Sequence, residues 1–133
     1  MKKIILSIFF LVGCNNSTKE TTHKVQKEKP FSQSYYQCEK ERGETTAGIS
    51  SCLEKELKHQ DAKLNSSYQK VKNSIQPFRV KSLKRLQRVW ISYRDEKCAF
   101  FNHKESGSSG SLDEQMCLIK ATILRTKELE EIF

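Results

Sequence analysis

The sequence contains few of the residues that interrupt helices, with only two prolines and five glycines among 133 residues. This shortage disfavours a turn-rich β fold and favours long helices. There is no Cys-x-x-Cys pair, and the three histidines are scattered, so the ligand spacing of a structural zinc site is missing. Acidic residues are also outnumbered, 16 against 24 basic ones, which gives a formal net charge of +8. The length is enough for one domain and not for two.

The N-terminal residues predict a secretory leader. Lys2 and Lys3 precede an apolar run over residues 4–12 that is too short to span a bilayer. The sequence Leu-Val-Gly-Cys, which ends at Cys14, resembles the lipobox of bacterial lipoproteins, in which the cysteine receives a diacylglyceryl group. The resemblance implies a signal peptide over residues 1–13 and lipidation of Cys14. The alternative is an ordinary cleaved signal in which this cysteine has no such role.

Residues 14–30 predict a flexible tether between the lipid and a domain. Val25 is the one strongly apolar residue of the segment, so it cannot bury enough surface to order itself. As a coil, the tether reaches about 20 Å from the membrane. Pro30 marks the start of the predicted domain, residues 31–133. Asn15 is not the aspartate of inner-membrane retention signals, so we expect an extracytoplasmic anchor, on the periplasmic face of an outer membrane where one exists.

Four cysteines remain when Cys14 is assigned to the lipid, and an even number is typical of disulfides outside the cytoplasm. Four cysteines allow three pairings. We favour the two pairings that are local in sequence, Cys38 with Cys52 and Cys98 with Cys117. Each closes a loop of about 15–20 residues, which contributes about 3 kcal/mol on the chain-entropy model.

Apolar residues at three- and four-residue steps predict three long helices. They run from about Thr46 to Gln76, from Arg79 to His103 and from Leu112 to Ile132. The glycine- and serine-rich residues 105–111 are predicted to be a loop. Residues 31–38 are ambiguous and are compatible with a short helix. The predicted fold is all-α, a small disulfide-stapled helical bundle of about three main helices after the signal peptide and the flexible tether.

The second predicted helix has a broad apolar face. Its members are Leu83, Leu86, Trp90, Tyr93 and Phe101, widened by Val89 and Phe100. We expect this face to lie in the core, with the hydroxyl groups of Tyr68 and Tyr93 bonded to neighbours. The alternative for Trp90 is an exposed anchor for a binding partner.

A set of residues with characteristic spacing along the three helices resembles the pattern of a known family. The set is Cys52, Leu53, Leu57, Leu64, Asn65 and Tyr68; then Leu83, Gln87, Trp90, Ile91, Tyr93, Arg94, Asp95 and Cys98; then Cys117, Thr122, Arg125 and Leu129. Over residues 35–130 this pattern resembles the LprI family of bacterial secreted proteins and lipoproteins, which is labelled a lysozyme inhibitor family. The resemblance implies a binding protein with lysozyme as its partner, and we expect no cofactor.

The polar residues of this set are expected to connect helices. Arg94 and Asp95 are adjacent and point to different sides of a helix, so adjacency alone does not predict that they pair with each other. We expect Arg94 to meet a carboxylate near Arg125 on a neighbouring helix. Asn65 and Gln87 are expected to bridge helices through hydrogen bonds.

The sequence offers little for catalysis. A cysteine nucleophile must be a free thiolate, and the four domain cysteines are expected to be paired. No Ser, His and carboxylate set with a familiar spacing is present. The adjacent carboxylates Glu130 and Glu131 lie at a predicted solvated helix end. We therefore expect a binding protein and not an enzyme.

The predicted glycine–serine loop is the first candidate binding surface. Lysozyme works through two carboxylates in a cleft, and Lys104, Ser108 and Ser109 would offer donors to them. The alternative is that the loop is a simple connector. Common animal lysozymes are basic, and residues 31–133 contain 18 basic and 14 acidic side chains, so electrostatic steering does not favour this pairing.

A basic stripe is the second candidate surface. Lys81, Lys84, Arg85 and Arg88 fall at helical neighbour spacing. Outside the cytoplasm such a stripe suits anionic envelope components: lipid head groups, wall polymers or an acidic protein. Nucleic acid is in the wrong compartment. The alternative is a solvated helix face without a partner.

Overall fold

Residues 29–131 are described by a computed structural model of the chain. The elements are α1 (Gln33–Arg42), α2 (Thr46–Ser74), α3 (Pro77–Ala99), a single 3-10 turn (Lys104–Ser106) and α4 (Gly107–Glu131). No strand occurs within the described range, so the predicted all-α class is confirmed. The predicted leader, Cys14 and most of the predicted tether lie outside the described residues. None of the described helices combines the length and apolar character needed to cross a bilayer.

The local sequence explains where the helices begin. The hydroxyl of Ser32 accepts a hydrogen bond from the Tyr35 backbone N–H at 3.2 Å, which caps α1. The hydroxyl of Thr45 caps α2 in the same way by accepting from Gly48 N–H at 3.0 Å. Pro77 occupies the start of α3, where a backbone N–H has no partner within the helix and its loss costs nothing.

The contacts between helices fix their directions. Ser50 of α2 bonds Gln115 of α4, and Ser67 of α2 bonds Glu130 of α4, so α2 and α4 run parallel. The long α3 supplies the antiparallel return between them. Within the described residues the predicted small bundle is therefore built around one parallel helix pair, with α1 and α3 added to it.

The apolar core divides into two clusters along the α2–α4 pair. The first contains Tyr35, Cys52, Leu53 and Ile119, and the second contains Leu64, Val71, Leu83 and Leu129. The side chains of Ile119 and Leu129 are completely buried. Only Leu83 and Cys98 of α3 are buried, so this helix adds little to the core.

Both predicted disulfides are confirmed. Cys38 and Cys52 are joined with their Cα atoms 5.7 Å apart, which fixes α1 to α2. Cys98 and Cys117 are joined with their Cα atoms 5.4 Å apart, which fixes the end of α3 to α4. These separations lie within the ordinary range for disulfides.

The prediction of a glycine–serine loop before Leu112 is wrong, because α4 already begins at Gly107 and α3 ends at Ala99. Gly107 has a φ of +58°, which glycine adopts readily. A Cβ at Gly110 would lie 2.8 Å from the carbonyl oxygen of Phe101, so this glycine permits the first turn of α4 to pack closely on the preceding turn. Here glycine allows close packing of a helix and does not interrupt it.

The predicted core face of α3 is correct on one side and wrong on the other. Leu83 is buried and Trp90 is half-buried against the second cluster, as is Tyr68. In contrast, Tyr93 is exposed, as are the other members Leu86, Val89, Phe100 and Phe101. The cause is that α3 has neighbours on one side only, and these cannot cover an apolar face of that width.

Candidate functional site

Arg94 joins three helices. Its side chain is 14% exposed, and its Nη1 donates to Asp61 Oδ1 of α2 at 3.2 Å and to Thr122 Oγ1 of α4 at 3.1 Å. Its Nε donates to Asp95 Oδ1 at 2.9 Å. Arg94 therefore meets a carboxylate on a neighbouring helix as expected, but that carboxylate belongs to α2 and not to the helix of Arg125. Arg94 also pairs with Asp95, a pairing that adjacency in sequence did not predict. The arginine side chain has donors on two sides, so Nε can bond the following residue, Asp95, while Nη1 bonds Asp61 and Thr122 on the neighbouring helices.

Trp90 lies between two guanidinium groups. The central carbons of Arg94 and Arg125 are 5.2 Å and 5.8 Å from the centre of the indole ring. Arg125 Nε also donates to Gln87 Oε1 at 3.2 Å, which confirms that Gln87 bridges α3 and α4. We call this group the Trp90 cluster; its members are Asp61, Gln87, Trp90, Arg94, Thr122 and Arg125. Cation–π contacts of this kind contribute about 0.5–2 kcal/mol each.

The family-motif residues therefore have mainly a structural role. The Trp90 cluster holds α3 against both α2 and α4, where apolar contact alone is sparse. Asn65 differs from the expectation: it is exposed, and its side chain makes no hydrogen bond within the described part of the chain. Leu64 is buried in the second core cluster.

A groove of about 640 Å³ lies between α2 and α3. Lys72 of α2 and Lys84 and Arg88 of α3 line it, together with the exposed side chain of Asn65. Asp61 also lines the groove, but its carboxylate already accepts from Arg94. The groove can therefore hold an anion through three cations. Sequence reasoning missed Lys72 because it lies on a different helix from the basic stripe.

The predicted basic stripe is solvent-facing. Lys81, Lys84, Arg85 and Arg88 are all exposed, and none is paired with a carboxylate within residues 29–131. The structure separates them into two pairs, since Lys84 and Arg88 line the groove and Lys81 and Arg85 do not. Across the described residues, no group of three or more histidine, cysteine or carboxylate side chains is arranged to hold a metal ion.

The connection between α3 and α4 is short, exposed and fixed at its base. Lys104 is exposed in the 3-10 turn, which begins after His103; the Nδ1 of His103 accepts from Glu105 N–H at 3.4 Å. The disulfide between Cys98 and Cys117 clamps the two helices that flank it. We call residues 100–106 the clamped turn.

The two predicted loop serines are not in a protruding loop. Ser108 and Ser109 are exposed in the first turn of α4. The hydroxyl of Ser109 donates to the carbonyl oxygen of Ser106 at 2.7 Å, so it already has a partner. Among the three predicted donors, Lys104 and Ser108 are exposed at this end of the bundle, and the hydroxyl of Ser109 is bonded within it.

Sequence reasoning missed a buried carboxylate. Glu56 is 2% exposed and accepts hydrogen bonds from the backbone N–H of Ser32 at 2.9 Å, from the hydroxyl of Ser32, and from Gln60 at 2.7 Å. Its position three residues after the buried Leu53 places it on the inner face of α2, which is the available sequence signal. Glu56 fastens the start of α1 to α2.

Tyr35 is a buried titratable group of the first core cluster. Burial, followed by its hydrogen bond to Glu39 at 3.1 Å, raises the pKa of Tyr35 to about 12. Both effects favour the neutral phenol. The ring of Tyr35 is part of the first core cluster, so it docks α1 on α2 and α4.

The sequence of this chain is similar to those of known proteins. The family model described as "Lysozyme inhibitor LprI" matches residues 38–129. An uncharacterised protein of Rhizobium meliloti (strain 1021) is 30% identical over 97 residues, which cover 61% of this chain and 68% of the relative. No solved structure matches. Because the family model covers more than half of the chain and includes both disulfides and the whole Trp90 cluster, the chain belongs to the LprI family.

Proposed function

We propose that this protein is an extracytoplasmic binding protein that inhibits lysozyme and is held at the bacterial envelope by a lipid on Cys14. The family's description supports inhibition, and it names an inhibitor and not an enzyme. Two disulfides within one small domain suit a compartment outside the cytoplasm. The lipid is supported by the sequence that ends at Cys14.

The observation that carries the proposal is the clamped turn. An inhibitor loses less conformational entropy on binding when its contact segment is already fixed. The disulfide between Cys98 and Cys117 fixes both flanks, and the close contact at Gly110 holds the first turn of α4 against the clamped turn. Lys104 and Ser108 are exposed at this end and can donate to the two carboxylates of a lysozyme cleft.

Charge distribution sets the kind of binding to expect. Residues 31–133 contain 18 basic and 14 acidic side chains, and common animal lysozymes are basic, so long-range attraction does not speed the encounter. Inhibition must then depend on local contacts at the clamped turn. We therefore expect it to persist as salt is added, in contrast to binding driven by surface charge.

The test is a clearing assay on suspended bacterial walls with the chain from Asn15 to Phe133, which retains every described residue. We expect dose-dependent loss of clearing by the oxidised chain and little effect from the reduced one. Lys104→Ala with Ser108→Ala should raise the inhibitory concentration at least about tenfold, since each lost charge-assisted bond weakens binding by about 1–2 kcal/mol. Lys63→Ala, an exposed lysine of α2, is the matched control.

Normal clearing in a large excess of the oxidised chain, repeated with more than one lysozyme type, would contradict inhibition. Inhibition that is unchanged by the double substitution would keep the function and remove the clamped turn as its site.

A second candidate is an interaction protein for anionic envelope components, and the groove favours it. Three cations, Lys72, Lys84 and Arg88, line the groove, and the carboxylate of Asp61, which also lines it, is already bonded to Arg94. Binding of an anionic wall polymer should weaken as salt rises. Lys84→Glu with Arg88→Glu should abolish it, whereas Lys55→Glu with Lys63→Glu makes the same change of net charge on α2 and should not.

A further inference from the structure

The outward face of α3 exposes a line of apolar side chains. Phe78 is 76% exposed, Val89 and Tyr93 are each 61% exposed, and Phe100 is 82% exposed. With Leu86, their spacings are eight, three, four and seven residues, so they lie along one side of the helix. Phe100 keeps helical backbone angles, which continues the line past the end of α3. We call these five residues the outer stripe.

The outer stripe is long, and the exposed polar residues Ser82 and Glu96 lie between its members on the same side of α3. From Phe78 to Phe100 it extends about 33 Å at the rise of an α-helix. A monomeric soluble protein rarely exposes a large contiguous apolar surface unless a partner covers it. The described residues contain no element that packs on this side of α3, since its buried residues all face α2 and α4.

Cations border the outer stripe on both sides. Arg79 lies over the ring of Phe78 at 5.8 Å, and Lys97 lies over the ring of Tyr93 at 5.8 Å. Lys81 and Arg85 follow the other edge, and both are exposed and outside the α2–α3 groove. The acidic side chain on this face is Glu96, which accepts a hydrogen bond from Ser92 at 3.4 Å. The surface is therefore an apolar line between positive borders.

The positive borders decide which partner fits. A second copy of the chain would place its own Lys81 and Arg85 near the same cations, because a twofold interface pairs a surface with itself. An anionic bilayer surface fits both features. Its phosphates attract the border cations, and its interfacial region accepts aromatic and aliphatic side chains from a helix that lies in the membrane plane. A straight line of 33 Å or so also matches a planar surface better than a compact pocket.

We propose that the outer face of α3 docks on an anionic lipid bilayer. The outer stripe enters the head-group region, and Arg79, Lys81, Arg85 and Lys97 bind lipid phosphates. This docking depends neither on lysozyme inhibition nor on a lipid at Cys14, because every residue it needs lies between Phe78 and Phe100. It also differs from anion binding in the groove, which uses Lys84 and Arg88.

The experiment is co-sedimentation of the chain from Asn15 to Phe133 with lipid vesicles. This chain lacks Cys14, so no acyl group can hold it to a membrane. Vesicles of phosphatidylcholine alone are compared with vesicles that also contain phosphatidylglycerol. We expect binding to the second kind only, and we expect it to weaken as salt rises.

Two pairs of substitutions test the two features of the surface separately. Lys81→Glu with Arg85→Glu should weaken binding at least about 25-fold, since each cation near an anionic membrane contributes about fivefold. Leu86→Ser with Val89→Ser should weaken it at least about tenfold through lost apolar burial. Lys55→Glu with Lys63→Glu is the control of equal charge on α2 and should stay within about threefold of the parent chain.

Several outcomes would overturn the proposal. One is an absence of binding to phosphatidylglycerol vesicles at low salt. Another is unchanged binding by the Leu86→Ser, Val89→Ser chain, which would reduce the contact to head-group adsorption. A dimer in sedimentation equilibrium that these serines dissociate would assign the stripe to a second copy. Equal binding to soluble polyglutamate would assign it to an acidic protein. The wall-clearing assay contains no lipid vesicles, so failure of either proposal leaves the other standing.

Discussion

The α2–α4 pair and α3 are stabilised in different ways. Leu53, Ile119 and Leu129 are almost completely buried between α2 and α4, with α1 fastened to them by a disulfide. In contrast, α3 buries Leu83 and Cys98 and is otherwise attached by the Trp90 cluster. One region is stabilised by apolar burial, and the other by directional polar contacts and a covalent bond. The difference leaves much of the apolar surface of α3 available to a partner.

The largest expected difference in stability between the two regions comes from shortening one apolar side chain in each. Ile119→Ala removes a fully buried side chain and should lower the free energy of unfolding by about 3–4 kcal/mol. Val89→Ala removes two carbons from an exposed site, against three for Ile119→Ala, and should change the free energy of unfolding by less than about 0.5 kcal/mol. Urea denaturation of both variants gives the comparison. Equal losses would mean that the outward face of α3 is covered in solution.

A smaller effect is expected from the contact that attaches α3. Arg94→Leu should lower the free energy of unfolding by about 2 kcal/mol, because it removes bonds to Asp61 and Thr122 while Asp61 remains partly hydrated. Amide hydrogen exchange should quicken in α3 more than in α2 and α4. The exposed Arg85→Leu is the control and should change stability by less than about 0.5 kcal/mol. Uniform quickening in all helices would show that α3 is not a separately attached element.

The smallest effect appears only at high pH, in the α1 part of the core. Burial raises the pKa of Tyr35 to about 12, above the value near 10 of an unfolded chain. The folded state therefore favours the neutral phenol; this stabilisation is complete below pH 10 or so and is lost as the pH rises through about 12. Ultraviolet absorbance after a rapid pH increase should show an ionisation near pH 12 that Tyr35→Phe removes. A difference between the two chains near pH 10 would contradict the burial of this hydroxyl.

The features that sequence could predict depend on local spacing. Buried Leu64, Ile119 and Leu129 belong to three- and four-residue patterns, and both disulfides join the cysteines nearest in sequence. The start of α4 could not be predicted in this way. Gly110 is required by its contact with Phe101, and that contact exists only after the turn has folded.

The candidate site was less predictable because it depends on how helices are rotated against one another. Gln87 was expected to bridge helices, and it accepts a hydrogen bond from Arg125 of α4. The partner of Arg94 is Asp61, which is 33 residues away on a helix that periodicity alone does not orient. The number of neighbours around α3 is also a tertiary property, so the exposure of Tyr93 could not be predicted from its apolar spacing.

If the proposed lipid on Cys14 tethers the chain, the disulfide between Cys38 and Cys52 has a mechanical consequence. Tension applied ahead of Pro30 would first meet the bonds between Ser32 and Glu56, and then the covalent bond to α2. The disulfide bypasses residues 39–51, so this segment carries no tension while the bond is intact. Tension would then pass through the disulfide directly into α2, the longest helix of the bundle.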